Sequence, residues 1–204
     1  MERSVVFAGF GGQGLLFAGQ VLARAGVKDG LEVFWIPSYG PEMRGGTAAC
    51  TVILNETEIG SPVVDHFDAA VVMNLPSLRK FGPRVAPGGL LIVNTSLVES
   101  ATSARKDVEE LRLPCTELAA KGGDDKLVTV VALGALVARL GWVSAESVRA
   151  ALREISAKKR PEIIEADLRV FAAGLEAGSV AVPAQAGLTA ATAGSLARRR
   201  SWSA

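Results

Sequence analysis

Ser4-Val-Val-Phe-Ala8, followed at once by Gly9-Phe-Gly11-Gly12-Gln13-Gly14 and then by Leu15–Ala25, is the stretch whose reading decides the fold. The first five residues form a short, nearly continuous apolar run, as expected of a strand buried on both faces of a parallel sheet. The glycines that follow let the chain turn tightly and let another group approach the backbone closely. Leu15–Ala25 reads as a helix, with Gly26 as its stop signal. Strand, G-x-G-x-x-G and helix are the three parts of a βα turn that can hold a phosphate at the positive end of a helix. Gly9, Gly11, Gly12, Gln13 and Gly14 are therefore candidate anion contacts. A tight glycine turn holding no ligand is the other reading of the same residues.

A dinucleotide site also needs an acid at the end of the second strand, about 20 residues on, to hold the ribose hydroxyls. The second strand, Val33–Ile36, runs instead into Pro37-Ser38, and the nearest acid, Glu32, stands at its beginning. Nicotinamide binding is thereby disfavoured.

Downstream, Pro37-Ser-Tyr-Gly-Pro-Glu-Met-Arg-Gly-Gly-Thr47 joins two strand-like runs. A connection of this length inside a compact domain is usually functional. Its prolines deny helix and its glycines allow close approach, so a stiff loop presenting Tyr39, Glu42, Met43 and Arg44 is expected. An ordinary surface loop with a weak ion pair is the plainer reading.

The remaining chain reads as an open α/β domain. Ala48–Leu54 and Glu58–Ile59 suggest a hairpin, the one antiparallel feature. Ala69–Met73 is a buried strand, Asn74 and Pro76 open a short helix to about Phe81, and Pro87-Gly88-Gly89 turns into the strand Leu90–Val93. Polar residues after Met73 and after Val93 fall where strand ends line the crevice of such a sheet. Leu113–Thr116 suggests an edge strand, given Pro114. Lys126–Leu140 is apolar on nearly every side and reads as a helix buried all round. Ser144 caps a helix over Ala145–Ser156, and Pro161–Ala177 forms the last helix, with Gly178 just past its end. Residues 1–178 are thus expected to form the domain and residues 179–204 a flexible tail rich in Ala and Arg.

Bulk properties narrow the function. Lys and Arg number 22 against 21 Asp and Glu, which favours neither nucleic acid nor a membrane surface as the main partner. Arg198-Arg199-Arg200 reads as a solvated terminus. Cys50 and Cys115 are far apart and read as reduced packing residues; with a single His, His66, a zinc site is not expected. No run reaches membrane-spanning length, and a cytoplasmic protein is expected.

Taken together, Gly9–Gly14 opening a helix and Pro37–Ala48 resemble the gamma subunit of the 2-oxoacid:ferredoxin oxidoreductases, the pyruvate, 2-ketoisovalerate and 2-oxoglutarate enzymes. Ser61-Pro62, Met73-Asn74, Pro87-Gly88-Gly89 and Leu133-Gly134-Ala135-Leu136 are similar to that family in the same order. The resemblance spans about Arg3 to Gly178.

What it implies is a Rossmann-like, open and mostly parallel sheet with helices on both faces and one hairpin insertion. It further implies a subunit of a complex that oxidatively decarboxylates a 2-oxoacid with coenzyme A. The complex would use thiamine diphosphate, Mg and iron–sulfur clusters held by alpha, beta or delta partners, and would pass electrons to ferredoxin. This chain lacks the clustered cysteines and the thiamine motif, so it is expected to hold none of these cofactors alone and to have no catalytic residue of its own.

Two roles are open for the motifs. Gly9–Gly14 and Arg44 are possible contacts for the phosphates of coenzyme A. Alternatively, Tyr39, Pro41, Glu42, Met43, Arg44, Gly45 and Gly46 form an interface plug. One departure stands out: the family pattern leads to an Asn near position 129, where this chain has Thr129. A stand-alone nucleotide-binding module is the competing reading of the whole.

Overall fold

The computed structural model describes residues 1–38, 47–98 and 102–180. One six-stranded sheet runs in the order β2-β3-β1-β4-β5-β6, built from β1 (Arg3–Phe10), β2 (Glu32–Ser38), β3 (Thr47–Asn55), β4 (Phe67–Val72), β5 (Val85–Asn94) and β6 (Glu109–Leu113). β1, β4, β5 and β6 are parallel neighbours. β3 alone runs the other way, antiparallel to both β1 and β2. The sheet is mixed and mostly parallel.

Residues alternate between two apolar faces. Val5, Phe7, Val71 and Ile92 belong to the larger core, which α1 (Leu15–Lys28), α3 (Cys115–Gly122), α4 (Val128–Leu140), α5 (Ala145–Ile155) and α6 (Pro161–Ser179) cover. Val6, Ala8, Val72 and Val93 face the other way, under α2 (Leu75–Phe81) and the side chains of Val98 and Val108. A fully buried Leu or Ile in such a core stabilises the fold by roughly 1.5–3 kcal/mol. Among the described residues, helices therefore lie on both faces, five on one and one on the other.

Local signals and tertiary pairing disagree in several places. Glu58–Ile59 forms no strand; the antiparallel partners of β3 are β1 and the preceding strand β2, so the reversal comes one connection earlier than the sequence suggests. Gly26 does not stop α1, which runs on to Lys28. A methyl on Gly26 would meet Leu54 Cδ2 at 2.6 Å, so that glycine admits the sheet. Gly178 likewise lies inside α6, pressed on the Ala135 backbone. Pro87–Gly89 falls inside β5, as an irregularity in its pairing with β4. The edge strand is Glu109–Leu113, and Pro114 ends it by opening α3.

Other elements follow their local chemistry. Asn74 accepts from the Ser77 N–H at 2.9 Å and caps α2. Ser144 does the same for α5 at 3.1 Å. α4 is buried from Val128 to Val137 and crosses α6 at a seam of Gly134, Gly174 and Gly178. The tail, residues 181–204, lies outside the described residues, as does the Arg198–Arg200 run.

Candidate functional site

Because β3 is reversed, β1, β2, β4, β5 and β6 all end on one rim, at Phe10, Ser38, Val72, Asn94 and Leu113, and β3 begins there at Thr47. The register is explicit: Phe10 pairs with Thr47, and Ser38 with Ala49, which in turn faces Ala8. The glycine loop and both anchors of the 39–46 connection thus meet on the rim where open α/β sheets bind ligands. Tyr39, Pro41, Glu42, Met43, Arg44, Gly45 and Gly46 themselves lie outside the described residues.

The glycine loop divides its work among its residues. A methyl on Gly9 would meet Gln13 Oε1 at 2.4 Å and Met73 Cβ at 2.8 Å, so Gly9 is there for packing. Gly12 (φ 91°) and Gly14 (φ 78°) adopt left-handed backbone that a side chain disfavours. Gly11 and Gly12 are exposed, with open space around Gly12. Gln13 folds back: its Oε1 accepts from the Phe10 N–H at 2.6 Å. Gly14 caps α1 with no side-chain partner. The first-turn N–H groups of that helix, which have no intrahelical acceptors, remain available to an anion together with the helix dipole.

The turn that opens α4 closes over this loop. Thr129, wholly buried, donates from Oγ1 to the Gln13 carbonyl at 2.6 Å. The Lys126 carbonyl lies 3.2 Å from where a Gly14 methyl would stand. Lys126 is exposed, and among the described residues it has no carboxylate partner. No sequence pattern ties positions 126–129 to position 13, so only the fold shows Lys126 and Thr129 beside the loop. The departure at Thr129 keeps a donor at that place.

Farther along the rim most of the polar side chains serve as ties and caps. Asn94 Oδ1 accepts from the Cys115 and Ser96 N–H groups at 3.1 and 3.3 Å, which ties the end of β5 to the start of α3. Asn74 is buried at the end of β4, its amide oxygen used as a cap and its Nδ2 without a partner among the described residues. Ser96 donates to Glu117, and this bond holds the Glu117 carboxyl below its usual range.

Neither cysteine offers chemistry. Burial pushes the Cys50 and Cys115 thiols up to about 12, and Cys50 Sγ donates to the Leu15 carbonyl at 3.2 Å. His66 is exposed, and no cluster of metal-ligating side chains occurs among the described residues. No helix among them is long and apolar enough to cross a membrane.

Fold and rim define an α/β protein with a phosphate-type glycine turn but without the dinucleotide arrangement, because β3 separates β2 from β1. The chain belongs to the pyruvate ferredoxin/flavodoxin oxidoreductase family, whose model matches residues 4–177. It is 39% identical over 176 residues to ketoisovalerate oxidoreductase subunit VorA of Methanothermobacter thermautotrophicus, covering 86% of this chain and 36% of that relative. This chain thus spans about a third of VorA. It is 35% identical over 182 residues to 2-oxoglutarate synthase subunit KorC of the same organism, covering 86% of this chain and 95% of that one. Among solved structures, the gamma subunit of a keto/oxoacid ferredoxin oxidoreductase from Geobacter sulfurreducens is similar, with TM-score 0.75 and 28% identity over 88% of this chain and 99% of that one.

Proposed function

We propose that the chain is the gamma subunit of a 2-oxoacid:ferredoxin oxidoreductase. It supports the coenzyme A-dependent oxidative decarboxylation of a 2-oxoacid by packing on thiamine-diphosphate subunits and by shaping the approach of coenzyme A. The observation that carries this is the meeting, on one rim, of the glycine loop and the two anchors of the 37–47 motif, Ser38 and Thr47. Family membership and a likeness to KorC that covers 86% of this chain and 95% of that one support the subunit assignment.

In this reading the amides of Gly11, Gly12 and Gly14, with Arg44 and Lys126, receive coenzyme A phosphates, while Gln13 holds the loop in shape. Tyr39, Pro41, Glu42, Met43, Gly45 and Gly46 dock on the neighbouring subunit. Thiamine diphosphate, Mg and iron–sulfur clusters belong to alpha, beta or delta partners, and ferredoxin is met through them. The chain's own cysteines do not fit a cluster, which takes four thiolates, because the two present are buried in separate places. The domain is read as residues 1–178, with residues 179–204 as a tail; α6 closing at Ser179 supports that boundary. A cytoplasmic location goes with this role.

Gln13→Glu tests the rim. Glutamate keeps the acceptor for the Phe10 N–H but places a negative charge beside the loop amides. In the complex purified through the tagged chain, the KM for coenzyme A should rise about tenfold, as expected for one charge-assisted contact opposed. An unchanged KM removes the loop from the coenzyme A path.

A further inference from the structure

We infer that Thr129 is a positioning residue that aims the glycine loop at its ligand, an inference that rests on the anion-binding reading of that loop. Gln13 sits between Gly12 and Gly14, both with positive φ; its own N–H donates to the Phe10 carbonyl at 3.4 Å, while its carbonyl turns outward to a partner distant in the chain. Thr129 does so from 116 residues away, its hydroxyl donating to the Gln13 carbonyl at 2.6 Å. A trans peptide is planar, with its C=O and N–H pointing in opposite directions. Drawing the Gln13 oxygen toward Thr129 therefore turns the Gly14 N–H away from that hydroxyl.

The rest of the geometry agrees. Thr129 is wholly buried and stands in the first turn of α4, where its hydroxyl reaches across to the loop. The other end of Gln13 is fixed as well, its Oε1 accepting from the Phe10 N–H at 2.6 Å. Gln13 is thus held at both ends, and the donors beside it are held with it. The hydroxyl needs no contact with the ligand to matter; it sets the direction of an amide that the reading assigns to a phosphate oxygen.

The test uses the assembled complex, purified through the tagged full chain, with coenzyme A as the varied substrate. Thr129→Val should raise the KM for coenzyme A about three- to tenfold with kcat at saturation retained, the range expected when one hydrogen bond is lost. Amide exchange at Gly14 and Leu15 should quicken in the same variant, and Thr129→Ser should restore both values. If the added methyl is rejected at this buried position, Thr129→Ala removes the same hydroxyl without bulk. A valine variant with wild-type KM and exchange, beside a Gln13→Glu variant whose KM rises, overturns the inference and leaves the anion site standing. An unchanged KM in Gln13→Glu takes both down. A serine variant as impaired as the valine assigns the effect to packing and also overturns the inference.

Discussion

Gly174 of α6 lies against Gly134 of α4 so closely that a methyl on Gly174 would stand 3.0 Å from the Gly134 Cα and 2.1 Å from the Val131 carbonyl oxygen. Two helices meet here backbone to backbone. The obstacle is main chain, which cannot rotate aside, so Gly174→Ala must push the helices apart. We expect a loss of about 3 kcal/mol, the upper end for overpacking, read as a lower urea midpoint with an unchanged slope. Gly60→Ala, with open space around it, is the control and should stay within about 0.5 kcal/mol of wild type.

Asp167 carries a pH signature. It is fully buried on α6, accepts from Ser156 Oγ at 2.7 Å, and leaves Oδ1 without a partner among the described residues. Burial raises its pKa, Ser156 and Lys159 oppose the rise, and Asp124 adds to it. A raised carboxyl binds its proton more tightly folded than unfolded. Its contribution is therefore fully present below the unfolded value, about 4, and is lost as pH rises through the folded value. Asp167→Asn should melt above wild type at neutral pH, and the gap should shrink as pH falls toward about 4. A gap that widens on acidification contradicts the assignment.

The cysteines should be chemically silent. With both thiols buried and pushed up to about 12, a disulfide reagent at about pH 8 should find no rapidly reacting thiol in the folded chain, and two after denaturation. Rapid reaction in the native state would mean that Cys50 or Cys115 is far more open than its packing implies.

α5 is fastened at its start by Asp29, just past the end of α1. Its Oδ2 accepts from the Ser144 N–H at 2.6 Å, and its Oδ1 accepts from the Ser144 and Ser147 hydroxyls at 3.1 and 2.5 Å. Ser144→Ala should cost roughly 1 kcal/mol as a lost cap. Combined with Asp29→Ala the loss should fall short of the sum, since both variants break the same bond.

What the sequence made legible was what local chemistry decides. Ser4–Ala25 announced β1, the glycine turn and α1; Asn74, Pro76 and Ser144 announced their helices. Where the deciding partner is distant in the chain, the reading failed. Gly26 and Gly178 look like helix stops but are gaps for Leu54 and Ala135. The strands paired with β3 are β1 and β2, a choice made by the sheet and not by the residues around Glu58. α3 went unread because Pro114 suits an edge strand as well as a helix start. At the site, the glycine loop was visible as a motif. Thr129 and Lys126 were not visible as its neighbours, because only the fold brings α4 to residue 13.

The central claim, a gamma subunit at work in a 2-oxoacid oxidoreductase, is tested most directly by anaerobic purification of the tagged chain from its native cells. The preparation is assayed for viologen reduction that depends on both a 2-oxoacid and coenzyme A. The account predicts larger chains bearing thiamine diphosphate and iron–sulfur clusters, with activity that follows them. A chain that comes out alone and inactive would contradict it, and a nucleotide-binding module would then be the reading to pursue.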